Sequence, residues 1–344
     1  MSASPSGTRL RAYLEFVAAV LYFFVARSFA RGLAVRIHND AWEPLVEQFL
    51  IAAMLILGYA AFGSLFDRQR GSIAAQGLPL RPGWTRESSV GLAVGWCAVV
   101  VCVFAMVIIG GIAVVANLQP SAWLWLLADA AYFGLLALGE EVAFRGYGFQ
   151  RFSAVVGSSG AAFGFAVFYA IVHALQPGST NASIAISVVF SFLLTTSYLR
   201  TRALWVSWGI NFAWKASQAL IFGLTVAGVS SHSPVIEGNP MGPFWLTGGG
   251  FGLDGSWFAC IVLLAAFPVV YRATRDLDFR YNAPVIVPGG IPVDLDAAAR
   301  RQHEAAMGAA EPQTPSLVQI LPVATPPAPA RSASESIVGP EDPL

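Results

Sequence analysis

The sequence predicts an all-α fold, a polytopic membrane helical bundle of about eight transmembrane helices with a disordered C-terminal tail. The first observation is composition: of the 344 residues, 56% are hydrophobic and only 12% are charged, which is too apolar for an ordinary soluble domain. The second is that the apolar residues form successive runs close to the ~20 residues that a helix needs to cross a bilayer. The third is a change to Ala, Pro and Ser after Arg275.

Each predicted helix corresponds to one apolar run. The first run has Glu15 in its opening turn and Arg27 where a signal peptide would have a small-residue cleavage site, so we interpret it as a retained span. The predicted spans cover residues 13–30, 42–66, 89–115, a segment that begins at 123, 161–175, 182–199, 203–224 and 256–271.

The polar segments divide the chain into three parts. These are residues 1–76 with two helices and an interfacial segment, 77–273 with a core of six helices, and 274–344 as an Ala/Pro-rich cytoplasmic tail. Residues 67–87 form a polar connector, and the Pro- and Gly-rich residues 225–255 are expected to form an ordered external loop. In the tail, a short helix is expected at 296–310 and disorder at 311–344.

Basic residues predict the orientation, because cytoplasmic loops are enriched in arginine and lysine. Arginines follow predicted spans two, four, six and eight, whereas the connections after spans three, five and seven contain none. Both termini are therefore expected in the cytoplasm, with the protein in a bacterial inner membrane or a plasma membrane. Arg31 and Arg36 would lie outside in this orientation, and they fit an interfacial helix that hydropathy alone does not place.

Three ionisable residues interrupt the fourth apolar run: Glu140, Glu141 and Arg145. Charges within a bilayer are costly, so such residues usually face the bundle interior and are functional candidates. Glu141 and Arg145 stand four residues apart on one helix face and are predicted to pair. Glu140 points about a quarter turn away, which predicts one neutralised carboxylate and one that is free for chemistry.

Two further polar motifs lie in later spans. His173 is the one histidine inside an apolar run, and it follows Tyr169 by four residues. Asn211 and Lys215, the only lysine of the chain, share one helix face in span seven. Lys215 either extends its ammonium to the membrane surface or pairs with one of the glutamates.

Composition excludes other classes. The 20 basic and 20 acidic residues cancel, and no basic block is present, so no nucleic-acid partner is expected. Cys97, Cys102 and Cys260 lie in apolar runs without metal-type spacing and are interpreted as core residues.

Several short motifs together resemble the CPBP family of intramembrane metalloproteases. They are Glu-Glu-x-x-x-Arg with Phe144, Gly146 and Tyr147, then Tyr169 before His173, then residues 204–205, 222–224 and 246–253. The family contains the CAAX prenyl endopeptidases and related Abi-type proteins, and the resemblance runs from about residue 77 to 271.

The resemblance implies a role for each matching residue. Glu140 would be the general base that activates a water, and His173 would hold that water directly or through a metal. Glu141 and Arg145 would shape the site, and Arg145 could meet a substrate carboxylate. Tyr147 and Tyr169 are candidates for substrate binding or for modulating the site.

The third motif departs from the family pattern, which has His and Asn where this chain has Asn211 and Lys215. Asparagine is a poor zinc ligand, so His173 and Glu140 are the two candidate ligands that remain, and the sequence does not decide whether the site binds zinc. Lys215 would either stabilise a tetrahedral oxyanion or lock Glu140 in an ion pair.

The leading hypothesis is an endopeptidase that cleaves a membrane-associated peptide or protein, with membrane lipid as its other partner. The alternative is a catalytically silent member that acts as an immunity or scaffold protein, and proton transport is a third hypothesis. Glu140 and His173 can meet only if the fourth helix continues inside the bundle to about Phe152. The site is then expected in a cavity open to the cytoplasm and to lipid.

Overall fold

The computed structural model describes residues 5–66, 72–116, 119–229 and 236–281. The last 63 residues, 282–344, and with them the helix predicted at 296–310 and the disorder predicted at 311–344, lie outside the described residues.

The described part is a bundle of α-helices. Their bounds are α1 Pro5–Ala34, α2 Glu43–Phe66, α3 Trp84–Ile109, α4 Pro120–Arg145, α5 Tyr147–Ala174, α6 Asn181–Thr201, α7 Trp205–Ala216, α8 Phe244–Thr247, α9 Trp257–Ala273 and α10 Arg275–Tyr281.

Five helical segments among the described residues are long and apolar enough to cross a membrane, and one further apolar helix is shorter. The five are Arg9–Ile37, Glu43–Phe66, Trp84–Ile109, Trp125–Ala174 and Asn181–Thr201, and the shorter helix is Trp257–Ala273. The all-α membrane bundle predicted from the sequence is confirmed, and the protein is an integral membrane protein. The count of eight spans stays a prediction.

The third predicted span is too long. It was expected to reach Val115, but α3 ends at Ile109, and Gly110 adopts a positive φ of 71° that stops the helix. The chain then forms β1 (Ile112–Ala116), which pairs antiparallel with β2 (Ile236–Pro240) from the predicted loop. A short apolar run such as Ile-Ala-Val-Val-Ala suits a strand or a helix, so hydropathy did not separate them.

The fourth helix does not continue unbroken to Phe152 as expected. It ends at Arg145, and Gly146 has non-helical angles of φ −78° and ψ −137° before α5 begins. A Cβ on Gly146 would lie 2.3 Å from the Val142 carbonyl oxygen. The bend therefore requires glycine. A second break at Gly157 (φ 82°) lies inside α5, and the segment between the two breaks replaces the expected straight continuation.

Helix α7 is also shorter than the predicted span 203–224. It ends at Ala216 and passes into a π-helical turn, Ser217–Ile221. Glycines bring α7 against α3: a Cβ on Gly209 would lie 2.5 Å from the Ser88 carbonyl oxygen, and one on Gly91 would lie 2.1 Å from that of Val206. This close approach of α3 and α7 fixes the helix that carries Asn211 and Lys215.

The first two helices pack onto the rest of the bundle. Helix α1 contacts α2 and α5, and α2 contacts α4. Glu15 of α1, 4% exposed, accepts hydrogen bonds from Arg11 at 2.9 Å, Tyr147 at 3.0 Å and Arg151 at 3.3 Å. The proposed boundary at residue 76 stays a prediction.

Candidate active site

The adjacent carboxylates of α4 have different partners. Oε1 of Glu141 accepts from Nη1 of Arg145 at 3.3 Å and from Nδ2 of Asn211 at 3.0 Å. The predicted pairing of Glu141 with Arg145 is confirmed. Arg145 is fully buried, and its Nη2 donates to the Ser191 carbonyl oxygen at 3.1 Å. An enclosed guanidinium of this kind holds α4 to α6 and is out of reach of a substrate carboxylate in this conformation.

Glu140 is not the free carboxylate that the sequence predicted. Its Oε2 accepts a hydrogen bond from Nδ2 of Asn211 at 2.9 Å and contacts the Lys215 ammonium. The Tyr169 hydroxyl lies 3.5 Å from the same oxygen. Lys215 therefore pairs with Glu140 across the α4–α7 interface, as one of the two interpretations of Lys215 predicted.

His173 lies near the end of α5 with its ring against Tyr169, at a centroid distance of 4.2 Å. Its Nδ1 is 2.9 Å from the Tyr169 carbonyl oxygen. A carbonyl oxygen only accepts, so the hydrogen-bond network assigns the proton to Nδ1 and leaves Nε2 as an acceptor in the neutral ring. The ring and Glu140 line the same cavity.

That cavity has a volume of about 610 Å³, and Glu140, His173 and Lys215 lie on its wall. A neighbouring cavity of about 540 Å³ shares Glu140 and His173 with the first. Its added lining includes Phe23, Phe24, Phe144, Val172 and Leu175. Both cavities also share Arg27 and Arg31 of α1.

The exposed part of the first cavity's lining does not fit the predicted cytoplasmic opening. Arg27, Arg31, Pro177 and Val229 line it and are exposed, and they lie at the end of α1, just after α5 and in the turn after α7. This end of the bundle is external if both termini are cytoplasmic. The predicted orientation and a cytoplasmic opening therefore cannot both be right. The opening was predicted from the position of Glu140 near the end of its apolar run, whereas the side on which the site opens depends on the cavity that Glu140 lines.

Tyr147 is not brought to this cluster. It begins α5 beyond the Gly146 bend and is 1% exposed, with its hydroxyl donating to Glu15 and its ring stacked on Tyr59 at 6.0 Å. Its contacts tie α5 to α1 and α2. Of the residues predicted for the site, the structure therefore groups Glu140, Glu141, Arg145, Tyr169, His173, Asn211 and Lys215.

Sequence reasoning missed Asp254, which lies in a short turn, Leu253–Gly255. Its Oδ1 accepts from Nε1 of Trp214 at 2.8 Å and its Oδ2 from the Ala227 N–H at 3.2 Å. Burial raises the pKa of the Asp254 carboxyl above its ordinary value, and the hydrogen bond from Trp214 and the positive charge of Lys215 offset only part of that rise. An acidic residue between Leu253 and Gly255 in an otherwise apolar, Gly-rich segment was the available signal.

The donors present do not fit a zinc ion. In the described ranges, no group of three or more His, Cys, Asp and Glu side chains is positioned to hold a metal. Oε2 of Glu140 already accepts from an amide and contacts an ammonium, and a lysine cation at that oxygen would repel Zn²⁺.

An apolar bundle that encloses carboxylates, an amide, an ammonium and an imidazole beside a cavity defines an integral membrane protein with a polar site inside the membrane region. Residues 119–217 match the family model described as type II CAAX prenyl endopeptidase Rce1-like. This match confirms the resemblance seen in the motifs, and it spans the polar residues of α4, α5 and α7. No curated protein and no solved structure matches the chain.

Proposed function

We propose that the protein is an intramembrane endopeptidase in which Glu140 activates a water that cleaves a membrane-associated peptide. The observation that carries the proposal is the position of Glu140 and His173 on one cavity wall inside an apolar bundle. A site enclosed by protein strengthens the electrostatic interactions that act on a developing charge. The family match supports protease activity at the level of the family.

The residues give each proton a place to go. Glu140 accepts a proton from water while the water oxygen attacks the peptide carbonyl carbon, and the carbonyl oxygen becomes an oxyanion inside a site enclosed by protein. When the C–N bond breaks, Glu140 gives its proton to the leaving amine, and the products are an amine and a carboxylic acid that then ionises. Nε2 of His173 is free to accept a hydrogen bond from the water.

A buried acceptor supports a water in this place. Oδ1 of Asn211 is buried and has no hydrogen-bond partner among the described residues, while Nδ2 of the same amide donates to both glutamates. Buried polar atoms are usually satisfied, often by an ordered water. A water that donates to Oδ1 of Asn211 would lie close to Glu140.

The cavity lining supports an amphiphilic substrate. Phe23, Phe24 and Leu175 offer apolar surface in the neighbouring cavity, and Arg27 and Arg31 offer positive charge where the lining is exposed. A peptide that carries a lipid or a hydrophobic segment would place that group on the apolar lining and its reacting bond near the charged lining.

The test is cleavage of a fluorogenic prenylated CAAX peptide by the purified protein in liposomes. Glu140→Gln keeps the size and hydrogen-bonding capacity of the side chain but removes the base, so we expect cleavage to fall at least ~100-fold, the usual contribution of a general base. Asp276→Asn, an exposed acid on α10, is the matched control and should cleave like wild type. Undiminished cleavage by folded Glu140→Gln would reject the role of Glu140.

A catalytically silent family member is the second candidate, and the contact between Lys215 and Glu140 favours it. An ammonium that permanently occupies the carboxylate would exclude a water from the base. This candidate predicts no cleavage by the wild-type protein, and instead a function that survives Glu140→Gln.

A further inference from the structure

Asp254 joins three segments around the candidate site. Its two oxygens accept from Trp214 of α7 and from the backbone of Ala227, while the aspartate itself belongs to the turn before α9. Trp214 is 1% exposed, so the indole holds the carboxylate inside the protein. Ala227 lies on the wall of the 610 Å³ cavity, which puts Asp254 directly behind that wall.

Trp214 also precedes Lys215 in α7, so the hydrogen bond keeps Asp254 next to the helical turn that carries the ammonium. Asp254 interacts electrostatically with both Lys215 and His173. The titratable groups around Lys215 then include Glu140 from α4, with Glu141 beside it in the chain, His173 from α5 and Asp254 from the loop, and Asp129 of α4 lines the same cavity. Glu141 is paired with Arg145. Glu140 contacts the ammonium directly, and the Asp254 carboxylate interacts with its charge from behind the cavity wall.

We propose that Lys215 is shared between Glu140 and Asp254, and that its movement onto Asp254 frees Glu140. An ammonium carries three donors on a flexible four-carbon chain, so it can exchange acceptors without movement of the backbone. While Lys215 is on Asp254, Glu140 keeps the hydrogen bond from Asn211 and gains an open position for a water. Asp254 is a positioning residue in this scheme, and its consequence for cleavage rests on the proposed function.

Lys215 is the only lysine of the chain, which makes the sharing measurable without a substrate. Reductive methylation with formaldehyde modifies the neutral amine, so its rate rises when a neighbouring carboxylate no longer stabilises the ammonium. The rate at Lys215 is followed by mass spectrometry of the peptide that contains it, in detergent-purified protein at pH 8.5. The α-amino group is on a different peptide and does not interfere.

If Lys215 is shared, its methylation rate should follow a particular pattern in variants that replace a carboxylate by an uncharged side chain. Asp254→Asn should raise the methylation rate at least ~3-fold in the wild-type background and at least ~10-fold in the Glu140→Gln background, where Asp254 is the remaining partner. A change below two-fold in both backgrounds would overturn the proposal. If Asp254→Asn does not fold, Asp254→Ser removes the charge, keeps an acceptor for Trp214 and is read in the same way.

Thr225→Val is the matched control, because it removes a hydrogen bond within the same loop region, from the Thr225 hydroxyl to the Gly250 carbonyl oxygen at 2.9 Å, while both carboxylates, the lysine and the Trp214 bond remain. We expect methylation within two-fold of wild type. A rise equal to that in Asp254→Asn would show that a loosened loop, rather than a lost charge, exposes Lys215, and it would overturn the sharing.

The cleavage assay separates this inference from the proposed function. Without Asp254, Lys215 stays on Glu140, so Asp254→Asn should lower kcat at least ~10-fold with little change in KM, and adding Lys215→Asn should relieve that loss. Methylation that follows the predicted pattern in a protein that never cleaves would leave the sharing intact and reject the endopeptidase. Cleavage by wild type with methylation insensitive to Asp254 would reject the sharing alone.

Discussion

Lys215 decides whether the candidate base is available, because its ammonium contacts the Glu140 carboxylate in the described conformation. Lys215→Asn removes this competitor and keeps a polar side chain in α7. We expect cleavage to rise about ten-fold, which corresponds to a barrier lowered by ~1.4 kcal/mol. The measurement is kcat on the prenylated peptide.

Lys215→Arg is the control, since it keeps the positive charge and should cleave no faster than wild type. Loss of cleavage in folded Lys215→Asn would contradict this account, and it would mean that the ammonium takes part in the reaction instead of restraining it. Cleavage that appears only in Lys215→Asn would identify the natural protein as the silent member.

The site residues that the sequence predicted are those with a partner on the same helix or with a charged side chain inside an apolar run. The pairing of Glu141 with Arg145 follows from a spacing of four residues on one helix. The bond from Asn211 to Glu140 spans 71 residues, and Asp254 lies 40 residues from Trp214. Contacts of this kind depend on how helices pack, so the sequence offered Lys215 as a partner of Glu140 only as one of two interpretations, and it indicated neither the bond from Asn211 nor the contacts of Asp254.

At the scale of single elements, the close approach of α3 and α7 positions Asn211 and Lys215. Gly209→Ala would put a Cβ 2.5 Å from the backbone oxygen of Ser88, and backbone on the facing helix cannot rotate away. We expect a loss of about 1–3 kcal/mol in the free energy of unfolding. Thermal unfolding in detergent measures it.

Gly134→Ala on α4 is the matched control. The nearest atom to its added Cβ is in the Phe212 ring at 3.9 Å, an ordinary contact, so stability should be unchanged or slightly higher because alanine favours a helix. Equal stability of the two alanine variants would contradict the close-packing role of Gly209.

Hydropathy located the long helices but not their breaks. Runs of apolar residues predicted α2, α3 and α6 with ends within a few residues, apart from the last turns of α3. The bend at Gly146, the break at Gly157 and the π turn after α7 depend on local backbone angles that an apolar pattern does not encode. These breaks are the features that shape the site.

At the scale of the whole molecule, the arginines in the connections predict that both termini are cytoplasmic. With that orientation, the exposed lining of the 610 Å³ cavity lies on the other side of the membrane. Single cysteines at Pro177 and Arg9, in a background without native cysteines, test the orientation with a membrane-impermeant maleimide. We expect Pro177→Cys to react in intact cells and Arg9→Cys only after permeabilisation. The reverse pattern would place the cavity on the cytoplasmic side.

The most direct test of the account is cleavage of the prenylated peptide in water enriched in ¹⁸O, with both products analysed by mass spectrometry. If Glu140 activates water for hydrolysis, the new carboxylate carries one ¹⁸O atom, the amine product carries none, and folded Glu140→Gln yields neither product. Absence of cleavage by wild type, or equal ¹⁸O-labelled product from Glu140→Gln, would contradict hydrolysis by a water that Glu140 activates.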